Sequence, residues 1–133
     1  MKFNLMVVFF LFQYFCIEQV DQKILGNWRL LEIFDGEQNH VLDSVFFKVT
    51  FKSDAIEYGY KTKTSSFDCG ARIEELDKGI ISTSVTACSK FFWFPILPSR
   101  NKGKVFDGSY QIQEYGLEIV FRDYIYKLEK IRP

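Results

Sequence analysis

Three cysteines, one histidine and seventeen carboxylates are the side chains with which this 133-residue chain could do chemistry. Nucleophilic catalysis needs an imidazole or an equivalent base beside a serine or cysteine. His40 is the single histidine and sits in the polar stretch from Glu37 to Asp43, most simply a loop, so neither a Ser-His-Asp nor a Cys-His set can be assembled around it. General acid–base work needs two carboxyls facing one substrate. Glu74 and Glu75 are adjacent in a polar stretch that reads as a turn; neighbours on a turn point apart, and solvation accounts for them. A zinc site wants four ligands, and two cysteines supply half of one. No glycine-rich loop is present to cradle a phosphate, because the eight glycines are scattered singly. The chain reads as a non-enzyme, with no catalytic residues, no cofactor and no metal site.

The remaining chemistry is that of sulfur, and compartment decides it. Residues 1–19 read as a secretory signal peptide. Lys2 is the sole early charge, and Leu5 to Phe12 forms an apolar core that extends less cleanly to Ile17. That core is about 13 residues, short of the roughly 20 that cross a bilayer as a helix. Cleavage falls somewhere between residues 16 and 20. The competing reading is an uncleaved N-terminal membrane anchor. Lipid attachment at Cys16 is disfavoured, since Gln13-Tyr14-Phe15 lacks small residues. Export places the protein in the secretory lumen or outside the cell, where two leftover thiols, Cys69 and Cys88, pair by default. Closing that loop would stabilise the fold by about 3 kcal/mol. Two separately buried thiols are the alternative.

These cysteines flank a stretch that the other elements must position. Residues 20–133 have room for one domain. Aromatics make up 18% of the sequence, a bias toward pleated, half-buried surfaces. Leu25 to Phe34 reads as a strand, with Trp28 dropping into the core. Val45 to Lys52 alternates cleanly: Val45, Phe47, Val49 and Phe51 on one face, Lys48, Thr50 and Lys52 on the other. Ala55 to Tyr60 alternates again, with Ile56, Tyr58 and Tyr60 inward. Phe67–Ile73 and Ile80–Thr86 read as short strands around Glu74 to Gly79, a pairing that would bring the two cysteine ends together. Ser109–Gln113, Leu117–Phe121 and Ile125–Ile131 complete the pattern. The fold class is mainly β: a compact antiparallel curved sheet or partly open barrel of 7–8 strands, with at most one short helix packed on it.

Charge narrows the partners. Seventeen basic and seventeen acidic side chains cancel without forming blocks, which argues against a nucleic-acid face. The run Phe91-Phe92-Trp93-Phe94-Pro95-Ile96-Leu97 is the most apolar after the N-terminus, and Pro95 and Pro98 forbid a regular helix or central strand there. It reads as a plug for the open side or end of the sheet. Alternatively Phe91, Phe92, Trp93, Phe94, Ile96 and Leu97 form an exposed tip, skirted by Arg100, Lys102 and Lys104, that meets a membrane surface or a partner protein.

The order of features resembles the META domain family, which includes the HslJ-like heat-shock proteins. Its Trp-bearing first strand is matched by Gly26-Asn-Trp-Arg-Leu-Leu31, its second by Val49-Thr-Phe51. Its two cysteine boxes are matched by Asp68-Cys69-Gly70 and Val85-Thr86-Ala87-Cys88, and its closing hairpin by Tyr110-Gln-Ile and Leu117-Glu-Ile-Val-Phe121. Gly70 stands where the family has Asn, and the segment after Cys88 is Phe-rich rather than acidic. The resemblance implies a compact β fold without shared catalytic residues, and a structural, stress-related or protein-interaction role. A rival resemblance is to lipocalins, through Gly26-Asn-Trp28 and an arginine near the last strands, Arg122. It implies an interior pocket carrying a small apolar ligand.

Overall fold

A computed structural model describes residues 20–43, 45–61, 66–88, 106–114 and 116–132. Among them the chain forms nine strands: β1 (Gly26–Phe34), β2 (Asn39–Val41), β3 (Phe47–Phe51), β4 (Ala55–Lys61), β5 (Ser66–Asp77), β6 (Ile80–Cys88), β7 (Gly108–Gln113), β8 (Gly116–Phe121) and β9 (Tyr124–Lys130). Each pairs antiparallel with its neighbour, and β1 also pairs with β9. The sheet therefore closes into a barrel of eight strands, β1 and β3 to β9. The short β2 lies along the edge of β1 beyond the end of β3. Closure removes the exposed edge that a curved open sheet would leave. No helix occurs among the described residues.

Alternation places the core. Phe47, Val49 and Phe51 of β3, Ile56 and Tyr58 of β4, Leu117 and Ile119 of β8, and Tyr126 and Leu128 of β9 are buried, while the intervening residues face outward. In β1 the phase switches. Trp28 and Leu30 point inward, then Ile33 does, because the ladder with β9 shifts register between Leu30 and Glu32. Such a bulge inserts one extra residue into a strand, and here it keeps Glu32 out of the core.

Two sequence expectations need correction. Glu74 and Glu75 do not lie on a turn but within β5, which has 12 residues and register shifts on either side of Ile73. Both glutamates face solvent; adjacent outward residues broke the alternation and disguised one long, bent strand as a short strand plus loop. The turn itself is Lys78-Gly79, both with positive φ, the backbone of a tight hairpin. His40 lies in β2 rather than in a loop. The signal segment, residues 1–19, and the Phe91 to Leu97 run with its basic skirt lie outside the described residues.

The rim holding Gly26 is plugged. Val20 to Leu25 folds beneath the barrel, with Ile24 fully buried. The Asp21 amide donates to the Leu76 carbonyl (2.9 Å), and the Trp28 indole N–H donates to the Ile24 carbonyl (2.8 Å). At the opposite rim the β1–β2 turn approaches the β8–β9 turn through Gly36 and Asp123.

Candidate functional site

Cys69 and Cys88 face each other across β5 and β6 and form a disulfide. The pairing is a consequence of the hairpin: twelve-residue and nine-residue strands folded at Lys78-Gly79 bring their far ends into register. Cys69 is buried and Cys88 exposed. The bond is consistent with an oxidising compartment.

Among the described residues the β6–β7 seam has the shortest ladder of the barrel wall, two residue pairs, Ile80 with Ser109 and Ile81 with Gly108. Above them Asp107 takes over. Its carboxylate accepts from the Thr83 amide (3.0 Å) and from the Thr83 hydroxyl, standing in for a strand carbonyl. Both residues are buried. Gly108 must follow, because its φ is +133° and a side chain there would collide with the Val120 carbonyl. Asp107→Ala strands two buried donors, so a loss of about 2–3 kcal/mol is expected in urea unfolding. Asp107→Asn, which keeps one acceptor, should lose less. No sequence pattern announces this pair, since Asp-Gly reads simply as a turn.

Above the plug, aromatic rings meet in the lumen. Phe106 projects across it, with ring centres 5.1 Å from Tyr58 of β4, 5.2 Å from Tyr126 of β9 and 6.4 Å from Phe47 of β3, all edge to face. This is the preferred geometry of aromatic pairs. Tyr126 is completely buried, and its hydroxyl has no hydrogen-bond partner among the described residues. Burial, with smaller contributions from Tyr124 and Tyr58, pushes its ionisation above the usual tyrosine range.

At the plug, the Tyr110 hydroxyl donates to the Asp21 carboxylate at 2.9 Å. Burial first, then that bond, raises the Tyr110 pKa from 10.0 to about 12. A raised folded pKa means the neutral form stabilises the fold fully below pH 10, and that contribution is lost as pH rises from 10 through about 12. Tyr126 acts in the same direction. Tyr110→Phe should therefore flatten the alkaline decline of the urea midpoint by about one proton per molecule without abolishing it. An unchanged slope would refute the assignment.

His40 Nε2 lies 2.8 Å from Asp35 Oδ2. The Asp35 carboxyl is held down at about 2, mainly by the Gln38 amide, then by His40 and the Glu37 amide. These bonds close the β1–β2 turn, which accounts for the histidine structurally. Lys130 Nζ sits 5.5 Å from the Trp28 ring centre, whereas Arg122 covers Phe121 at the opposite rim.

On the outer wall a cleft of about 460 Å3 is lined by Arg29, Phe46, Glu129, Lys130, Ile131 and Arg132. Arg29 stacks on the exposed Phe46 ring, its guanidinium carbon 5.2 Å from the centre. The sequence reading of Val45 to Lys52 as one strand assigns Phe46 to neither face. In comparisons with protein-family models, with curated proteins and with solved structures, the chain matches none.

Proposed function

We propose that the mature chain is an exported, non-enzymatic barrel of the META and HslJ-like kind, with a structural or stress-related role exercised through contact with another protein. Phe106 carries this reading. Its ring takes up the lumen space between Tyr58 and Tyr126, where a carried molecule would have to lie. An eight-stranded barrel is just wide enough either to be filled by its own side chains or to hold one small ligand, and the ring contacts of Phe106 support the first. The disulfide agrees with export through residues 1–19.

A second reading, a lipocalin-like carrier of a small apolar ligand, is favoured by one observation. The buried Tyr126 hydroxyl is without a hydrogen-bond partner among the described residues, and a ligand's polar atom would satisfy it. Native mass spectrometry and displacement of a fluorescent fatty acid separate the two. Saturable one-to-one uptake would establish the carrier; absence of uptake at protein concentrations well above micromolar supports the filled module.

A further inference from the structure

The Cys69–Cys88 bond differs at its two ends. Cys69 is 4% exposed and packed into the core, whereas Cys88, at the tip of β6, is exposed. A thiolate in solution therefore reaches one sulfur of the bond and is kept from the other. Disulfides break by thiolate attack on a sulfur, and exposed ones belong to the labile, regulatory class. The ladder around this bond can also part locally. Between the cysteines and the Lys78-Gly79 turn, the pairing of β5 with β6 shifts register on either side of Ile73. That break sets apart the pairs next to the bond: Cys69 with Cys88, Gly70 with Ala87 and Ala71 with Thr86. β5 is held there independently of β6, since Tyr58, Glu57 and Ile56 of β4 pair with Cys69, Gly70 and Ala71. Lower down, β6 has its own anchors. Ile81 pairs with Leu76 and with Gly108, and the Thr83 amide donates to the Asp107 carboxylate.

We propose that Cys69–Cys88 is a redox latch: a dithiol reductant opens it in the folded protein and frees the tip of β6, Thr86 to Cys88, from β5 while the rest of the barrel stays closed. The exchange balances with that reductant alone. One of its thiolates attacks the Cys88 sulfur, and the Cys69 sulfur leaves with the bonding pair and takes up a proton. The reductant's second thiolate then attacks the reductant's own sulfur in the mixed disulfide, which releases Cys88 as a second thiol. The reductant departs as its disulfide, having passed two electrons and two protons to the protein. A free cysteine packs as a small hydrophobe, so the Cys69 thiol suits the buried position it already occupies. Unlatching leaves the Cys69 to Ala71 edge of β5 with unpaired backbone groups, on which another strand can pair. The latch stands apart from both functional readings above, and ligand uptake by the lumen neither supports nor harms it.

The test exposes the disulfide-intact protein to millimolar dithiothreitol, without denaturant and in a series of urea concentrations below the unfolding transition. Thiols are trapped by alkylation and located at Cys69 and Cys88 by mass spectrometry. Reduction that had to wait for global unfolding would be about a thousandfold or more slower than in the urea-unfolded chain. Its rate would also climb steeply with urea, because unfolding exposes a large surface. The latch predicts slowing of less than about a hundredfold, as local opening allows, and a rate nearly flat in urea. In the reduced protein, amide exchange should rise at Thr86 to Cys88 while Leu76 and Ile81 stay protected. Re-oxidation with glutathione disulfide should restore the original exchange. Thousandfold slowing with steep urea dependence overturns the proposal. Loss of protection at Leu76 and Ile81 on reduction does so too, since the barrel would then depend on the bond as a whole. Reduction that leaves exchange at Thr86 to Cys88 unchanged also overturns it, because nothing would have been unlatched.

Discussion

Phe106→Ala is expected to destabilise the barrel by about 3–5 kcal/mol in urea unfolding, the range for removing a buried aromatic without full collapse of the site. The surroundings cannot close the gap easily. Tyr58 and Tyr126 are on strands three places apart around the barrel, each fixed by ladders on both sides. The ring also precedes Asp107 and Gly108, whose contacts hold the seam in place. The variant should therefore retain its sheet but contain a void walled by Phe47, Tyr58 and Tyr126. Apolar voids of this kind stay dry and accept small aromatic molecules. Uptake of benzene or indole by Phe106→Ala but not by the parent protein would identify Phe106 as the occupant of the lumen. A loss below about 1 kcal/mol would contradict the packing described, since a buried phenylalanine has no cheaper exit.

How far the amino-acid sequence foretold this arrangement depends on which forces act locally. Period-2 alternation marked β3 and β4 accurately because each has one dry and one wet face: Phe47, Val49 and Phe51 against Lys48 and Thr50. The same rule misjudged β5, where bulges put Glu74 and Glu75 side by side on the outside. Bulges answer the curvature of a closed wall, and curvature is a property of the whole barrel rather than of twelve residues. The expected 7–8 strands correspond to the eight of the barrel, and β2 is added. Closure itself was not legible, because the pairing of β1 with β9 joins residues about a hundred positions apart. The cysteine pairing was legible from compartment and hairpin geometry together. The Asp107–Thr83 and Tyr110–Asp21 bonds were not, for each depends on a side chain meeting a distant backbone or hydroxyl. The Arg29–Phe46 cleft escaped notice for a similar reason: its members come from β1, from the approach to β3, and from the end of β9 with the two residues after it.

Removing the disulfide by Cys69→Ser with Cys88→Ser should lower stability by about 3 kcal/mol, from the 19-residue separation it spans. Against the roughly 5–15 kcal/mol that holds a domain folded, that is a substantial fraction. The loss should also have a location. The lower part of β6 is held on both sides, by β5 and by the pairs of Ile80 and Ile81 with β7. At Thr83 the second side is the carboxylate of Asp107. Beyond that point the described ladder of β6 is with β5 alone, through Ala71 with Thr86, Gly70 with Ala87, and the cysteines themselves. With one described neighbour, this end of β6 opens by separating from β5, and the covalent bond at its tip prevents that separation from starting. Hydrogen exchange of the double serine variant should therefore accelerate from Thr86 to Cys88 and from Cys69 to Ala71, well before it does so at Leu76 and Ile81. Uniform acceleration across all strands would mean that the bond acts only through the unfolded chain, as loop-closure entropy alone requires. Unchanged exchange combined with unchanged urea midpoint would show that the β5–β6 ladder holds without it.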